Sequence, residues 1–360
     1  MFQIDLNLPQ HQYNIFIEAH LLNKISEIIS HLFKTKKVII ITDSNVDENY
    51  GSVVKANLID GGFDVQFIVL KPGEESKSLQ SLECIYNKLL DYSANRDTLL
   101  VALGGGVIGD ITGFAAATFL RGIKYIQIPT SVIAQVDSSI GGKVAVNLER
   151  GKNLIGSFYH PHAVLIDPEV LRSLEDRFFF DGMAEVIKYG LIKDSQLFNN
   201  LMSYKTKEEI MANIEYIIST CCLIKKEIVE KDEKDIGERM LLNFGHTIGH
   251  GIEAYYEYKT YTHGEAVAIG MYCISGIGEQ LGLTAPGCNE KIKAILKQYH
   301  LPYKAPVNVD ELLEIIKNDK KVFDDGLNFI LIKDIGNAYI NKVKLQDISI
   351  FLKKGAECNE

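Results

Sequence analysis

From Val38 onward the chain repeats one rhythm three times: an apolar run, a polar or glycine-rich loop, then a helical pattern. The runs are Val38-Ile-Ile-Ile-Thr42, Val65 to Leu70 and Thr98 to Leu103. The loops that follow them are Asp43-Ser44-Asn45, Pro72-Gly73-Glu74-Glu-Ser-Lys77 and Gly104-Gly105-Gly106-Val-Ile-Gly109-Asp110. Strands that alternate with helices build a mainly parallel sheet with the helices outside it. Ligands of such sheets bind beyond the carboxyl ends of the strands, where these loops fall. Two short strands, Phe2 to Leu8 and Tyr13 to Ile17 with a turn at Pro9, and a helix from about His20 to Phe33, precede the repeat.

The third loop matches G-x-G-x-x-G, whose glycines let backbone N–H groups and a helix N-terminus approach a pyrophosphate. The usual dinucleotide fold places that loop after its first strand, with an acidic residue about twenty positions later. Here at least two units precede it and position 130 is Thr. The expectation is a nucleotide domain that departs from the standard Rossmann arrangement; the competing reading is a tight turn that needs glycines for packing. Thr130-Ser131, Asp137 to Lys143 and Gly151-Lys152-Asn153 follow. Glycines beside Lys143 and Lys152 suggest ammonium and backbone groups that converge on an anion, although either lysine alone reads first as a solvated turn residue.

Past about residue 175 the pattern turns helical, which divides the chain into an α/β domain over 1–178 and an all-α domain over 179–360. In the second part, Arg239-Met-Leu-Leu-Asn243-Phe-Gly-His246-Thr-Ile-Gly-His250 spaces its polar residues by four, three and four. On one helix this would align all four along a stripe too polar for a core face. Two imidazoles on successive turns can share a metal, but the Glu of the His-Glu-x-x-His protease motif is missing. His263, beside Gly264 at the start of a later helix, can return opposite the stripe. Glu185, three residues before Lys188, is the best candidate for a completing carboxylate, with an exposed Glu/Lys pair as the alternative. A helix near Val309 to Asn318, the polar Asp319-Lys320-Lys321 and a hairpin from Leu327 to Ile340 end the pattern.

A net charge of −9 argues against nucleic acid or an anionic membrane as partner, so any anion needs a local cationic pocket. The six cysteines are scattered without a C-x-x-C pair, which reads as reduced thiols in the cytosol. The N-terminus lacks a signal-peptide pattern, and no uninterrupted apolar run approaches about eighteen residues. A cytoplasmic protein is the expectation.

With these motifs collected, the sequence resembles the 3-dehydroquinate synthases of the shikimate pathway, within the sugar-phosphate cyclase group. The resemblance runs in order through Gly104 to Asp110, Val136 to Lys143, Gly151 to Gly156, Gly182 to Lys188, Leu242 to His250 and His263 to Glu265. It implies an NAD-binding α/β domain, a helical metal- and substrate-binding domain, zinc in the cleft between them with cobalt as a substitute, and a homodimer.

Carried over by position, Glu185, His246 and His263 would bind the metal. Asp43, Asn45, Gly73, Glu74, Lys77, Gly105, Gly106, Gly109, Asp110, Thr130 and Ser131 would surround NAD, with Lys152 and Ser173 as further candidates. Lys143, Asn153, Asn243, His250 and Lys320 or Lys321 would hold the substrate phosphate, with Arg121 reaching in from a partner subunit. Lys188, Lys225 and Arg239 would meet hydroxyl and carboxylate groups, with Asp137 nearby. The resemblance thus removes His250 from the metal set.

The implied reaction is a phosphate-eliminating lyase step, from 3-deoxy-D-arabino-heptulosonate 7-phosphate to 3-dehydroquinate. It comprises transient oxidation at C5 by NAD, loss of phosphate, re-reduction, ring opening and aldol closure. The nearest rival is another cyclase of the group, whose members tend to replace the residue corresponding to Asn243. A second is a metal-dependent alcohol dehydrogenase of the glycerol dehydrogenase type, which would release net NADH. A third is a non-catalytic zinc- or nucleotide-binding module.

Overall fold

The structure is a computed structural model that describes residues 1–317 and 326–356. Two compact units divide the chain: Met1–Glu175 with Cys221–Glu233, and Asp176–Thr220 with Lys234–Glu360. The first break falls close to the boundary expected after residue 178. The return of Cys221–Glu233 to the first unit corrects the expectation of a single cut. Its reason lies in one helix, Ile214–Lys231, which runs through the division and carries Cys222 and Lys225 to partners in the first unit.

The first unit is built on seven strands: β1 (Phe2–Asn7), β2 (Gln12–Ile17), β3 (Lys37–Asp43), β4 (Asp64–Leu70), β5 (Leu99–Gly104), β6 (Tyr125–Pro129) and, after a separate antiparallel hairpin of β7 (Lys143–Leu148) and β8 (Gly151–Phe158), β9 (Ala163–Ile166). The sheet order is β1-β2-β9-β6-β5-β3-β4, parallel throughout except for β1 against β2. The sheet is buried on both faces because its apolar residues alternate. Val38, Ile40, Val101 and Leu103 join a core with the helices Ile25–Leu32 and Ser52–Asp60, while Ile39, Ile41, Leu100 and Ala102 join another with Leu79–Asp91 and Gly106–Thr118.

Numbered from β3, the five strands β4-β3-β5-β6-β9 follow the doubly wound order 2-1-3-4-5, whose switch point lies between the first and third strands. The ladder pairs Ile41 with Ala102, so Asp43 and Gly104 end neighbouring strands at the same level. The glycine loop therefore opens at the switch point, where connections leave toward opposite faces.

The second unit is mainly helical, with helices that include Asp176–Ile192, His246–Tyr255 and His263–Gln280, and a hairpin of β10 (Leu327–Asp334) and β11 (Asn337–Val343). The stripe expected on one helix is broken. Arg239 and Asn243 lie on a 3-10 helix, Glu238–Asn243, and Gly245 at φ 79 separates it from the helix that begins at His246. The break is set by close packing: a Cβ on Gly245 would stand 2.6 Å from Met271 Cγ, and one on Gly270 would stand 2.0 Å from the Gly245 carbonyl oxygen. Only glycine permits both the left-handed backbone and this approach.

Candidate active site

In the second unit, the helix Asp176–Ile192 is buried around nearly its whole circumference from Asp181 onward, so Glu185 and Lys188 are drawn inside with it. Glu185 is 0% and Lys188 1% exposed, and the two form an ion pair. This replaces the alternative of an exposed Glu/Lys pair. His246 Nε2 lies 3.4 Å and His263 Nε2 3.3 Å from the same oxygen, Glu185 Oε1. Both imidazoles stand at ion-pair distance rather than in hydrogen-bonding alignment, and among the described residues neither carboxylate oxygen receives an aligned hydrogen bond.

His246 Nδ1 lies 3.1 Å from the Phe244 carbonyl oxygen, which accepts only from the N–H tautomer and leaves Nε2 as a lone pair. Burial lowers the His246 pKa despite the pull of Glu185, so the ring is neutral. A lone pair facing a buried carboxylate fits a cation held between them. Ligand atoms of Glu185, His246 and His263 all lie within 4.8 Å of one another, and two imidazoles with one carboxylate suit a divalent transition metal. Burial works against ionisation of Glu185; the Lys188 ammonium beside it is the foremost group that overcomes this and holds its carboxyl well below the usual range. His250 is half-buried, with its ring centroid 5.4 Å from that of His246.

His263 is delivered by contacts that sequence reasoning missed. Asp181, one turn before Glu185, accepts from the Thr262 hydroxyl at 2.5 Å and from the Glu265 N–H at 3.0 Å, capping the helix that starts at His263. Arg177, a further turn back, grips the Glu265 carboxylate with two bonds of 2.9 Å. Thr262-x-x-Glu265 also closes a capping box, the one signal in the sequence that fixes this helix start. The approach is so close that a Cβ on Gly264 would lie 1.9 Å from the Asp181 carbonyl oxygen. Gly264→Ala is therefore expected to destabilise the protein by about 1–3 kcal/mol through overpacking and to weaken metal binding at His263. Urea unfolding and metal titration check this, and a variant as stable as the parent would refute it.

The first unit gathers a second group. Lys77 Nζ donates to Asp110 Oδ2 at 2.5 Å and to Asn153 Oδ1 at 2.6 Å, and its carbonyl accepts from the Asn147 N–H. Asn147, not singled out from sequence, also donates to Glu74 Oε1 at 2.7 Å and accepts from the Asn153 N–H at 2.9 Å. Burial alone would lower the Lys77 pKa, but Asp110 and Glu74 outweigh it and keep the ammonium charged. Lys143 and Lys152, each read alone as a solvated turn residue, lie with Asn153 on the strands of the β7–β8 hairpin, Asn153 at φ 55 beside a register shift. The β-branched Val144 and Val146, two apart, were the available signal for that strand.

At the glycine loop, Gly105 caps the helix Gly106–Thr118. A Cβ on Gly106 would sit 3.0 Å from the buried Ser138 Oγ, which has no hydrogen-bond partner among the described residues, and one on Gly109 would sit 2.6 Å from Gln127 Oε1. Bare backbone at a helix N-terminus beside an orphaned hydroxyl fits a phosphate group, and Gly109 allows the helix to lie close on the sheet. The Thr130 N–H donates to the Gly104 carbonyl, and Ser131 Oγ lies 3.5 Å from the Cβ position of Gly105. Lys225 donates to the Asp137 carbonyl at 2.6 Å and to its carboxylate.

Asp43 Oδ1 caps its own helix turn through Asn45 and Val46, and Asn45 is exposed. Gly73 starts the 3-10 turn before Lys77 at φ 101, and Ser173 Oγ contacts Tyr50 Oη. Arg121 is exposed in a run of positive φ from Leu120 to Gly122. Arg239 is 2% exposed on its 3-10 helix, with Asn243 half-buried at the end of it. Lys320 lies outside the described residues, as does Lys321.

Residues 67–181 match the 3-dehydroquinate synthase N-terminal family model, and residues 182–322 match the 3-dehydroquinate synthase C-terminal model. A 3-dehydroquinate synthase of Clostridium botulinum (strain Alaska E43 / Type E3) is 56% identical over 347 residues, 96% of this chain and 99% of that protein. Among solved structures, 2-deoxy-scyllo-inosose synthase complexed with carbaglucose-6-phosphate, NAD⁺ and Co²⁺ superposes with a TM-score of 0.86 at 26% identity over 98% of this chain and 100% of that one. The 2-epi-5-epi-valiolone synthase of Streptomyces hygroscopicus subsp. jinggangensis 5008, with NAD⁺ and Zn²⁺ bound, gives 0.88 at 25% identity over 98% of this chain and 99% of that one. The fold is thus common to several cyclases, while identity over nearly the full length singles out one of them, and this chain belongs to the 3-dehydroquinate synthase family of enzymes.

Proposed function

We propose that this enzyme converts 3-deoxy-D-arabino-heptulosonate 7-phosphate to 3-dehydroquinate and phosphate, with NAD and a divalent metal, zinc or cobalt, as cofactors. The observation that carries the reading is the Glu185, His246 and His263 set beside the buried Lys188, in a chain 56% identical to a named synthase. When bound, NAD supplies a hydride acceptor and donor, and the metal supplies a Lewis acid for the substrate oxygen.

Glu185, His246 and His263 would hold the metal. In the protein without it, Glu185 and Glu253 outweigh burial and push the His263 pKa up to about 10. His263 would give up that proton on taking a divalent ion at this set. Gly105, Gly106 and Gly109, with Thr130 and Ser131, would cradle the NAD pyrophosphate, while Asp43, Asn45, Gly73, Glu74, Lys77, Asp110, Lys152 and Ser173 line the rest. Arg239, through its planar fork, would bind the substrate carboxylate, with Lys188 and Lys225 meeting carboxylate and hydroxyl groups and Asp137 holding Lys225. Lys143, Asn153, Asn243, His250 and Lys320 or Lys321 would meet the phosphate. The link of Asn153 to Lys77 joins the phosphate and cofactor sets in this assignment.

The α/β unit would bind NAD and the helical unit the metal and substrate. We also infer a cytoplasmic homodimer that binds neither nucleic acid nor membrane, to which Arg121 contributes across subunits. The exposure of Arg121, the net charge of −9 and the absence among the described residues of a helix long and apolar enough to cross a membrane support this.

The test supplies the heptulosonate phosphate with NAD⁺ and zinc. Phosphate and 3-dehydroquinate should form one for one with no net NADH, and a chelator should abolish turnover reversibly while helical circular dichroism persists. Net NADH equal to product would favour a dehydrogenase. Equal turnover of a six-carbon sugar phosphate without a carboxylate would favour another cyclase.

A further inference from the structure

We infer that Glu253 is a positioning residue that holds the His263 ring in the tautomer and orientation of a metal ligand. The inference rests on the metal set proposed above. Glu253 lies seven residues after His246 on the same helix, so the two share a face. It is only 4% exposed, and a carboxylate so buried requires a polar partner. Its Oε2 lies 3.5 Å from His263 Nδ1, while His263 Nε2 lies 3.3 Å from Glu185 Oε1. One imidazole thus has a carboxylate at each nitrogen. With Nδ1–H donated to Glu253, Nε2 keeps its lone pair for an ion shared with Glu185 and His246.

The two histidines of the set are fixed differently. His246 donates to a backbone carbonyl that every variant retains, and its side chain is 10% exposed. The His263 side chain is 32% exposed, so packing restrains it less. Asp181, Arg177 and Gly264 fix the backbone at His263, yet none of these contacts sets the rotation of the ring. A carboxylate on the far nitrogen of a metal-bound imidazole does so, and it also raises the basicity of the ligand. His250, Glu253 and His263 could by themselves be taken for a second cation site. Their shared His263 Nδ1, however, cannot both carry the proton that readies Nε2 and bind another ion.

The test measures zinc affinity by chelator competition, the visible spectrum of the cobalt-substituted protein, and kcat and KM, in Glu253→Ala, Glu253→Gln and His263→Ala. Glu253→Ala should bind zinc about 10–100-fold more weakly, shift the cobalt bands and lower kcat more than it alters KM. Glu253→Gln keeps the volume and a neutral acceptor, so it should recover part of the affinity, and it decides the matter if the alanine variant fails to fold. Zinc affinity within twofold of the parent in both Glu253 variants, with metal lost from His263→Ala, would overturn the role of Glu253 alone. Full metal retention in His263→Ala would overturn the metal set itself. Two tightly bound zinc ions per parent chain would overturn the inference in favour of a second site.

Discussion

Glu185→Ala is expected to lose its bound metal and to lower kcat/KM by more than about 10²-fold, beyond the 10–100-fold range of outer-shell changes. Glu185 stands between both imidazoles and is completely buried, so no solvent-exposed group can take its place. The same substitution deprives Lys188, 1% exposed, of its counter-ion. Breaking a buried pair from one side typically destabilises by about 3–5 kcal/mol, so a second variant separates the two effects. Glu185→Gln keeps the shape while removing the charge that binds the ion. Metal content by atomic emission, steady-state kinetics and urea unfolding should be read together. A Glu185→Gln protein that retained stoichiometric zinc and full turnover would exclude the set.

Lys77→Met should lower stability by about 3 kcal/mol and weaken NAD binding. Methionine matches the length of the lysine stem but leaves Asp110, 17% exposed, without its ammonium partner and frees the side chain of Asn153. Three segments are joined at Lys77: the turn after β4, the helix Gly106–Thr118 and the β7–β8 hairpin. The effect should depend little on salt, because the pair is largely shielded from the ionic atmosphere. Adding Asp110→Asn should restore part of the loss, as expected of coupled neighbours. A urea midpoint unchanged from the parent would show that Lys77 does not hold this network.

The parallel core was legible because Val38 to Thr42, Val65 to Leu70 and Thr98 to Leu103 are short apolar runs punctuated by turn chemistry. The strand order was not, since nothing in those runs says that β5 and β4 lie on opposite sides of β3. β9 escaped notice as a four-residue strand. The helix break at Gly245 was hidden because a glycine inside a helix pattern is tolerated at about 1 kcal/mol, and only its fit against Met271 and Gly270 reveals the break. Glu185, His246, His250 and His263 stood out as candidates by spacing and residue type, but the spacing alone could not separate His250 from the metal set. Asp181 and Glu253 did not stand out. Asp181 owes its role to partners more than eighty residues away, and Glu253 to a ring on another helix.

The return of Cys221–Glu233 to the first unit bears on how the protein is made. During synthesis, the sheet of that unit emerges long before Lys225, which meets Asp137. The first unit therefore stays incomplete until some forty-five residues of the second unit, Asp176–Thr220, have also left the ribosome. Early folding of the two parts is interleaved rather than sequential, unlike the domain-by-domain order common in larger chains. A fragment cut after residue 178 would lack a structural piece of its own, and the exposed surface left behind would invite aggregation before any activity could be measured.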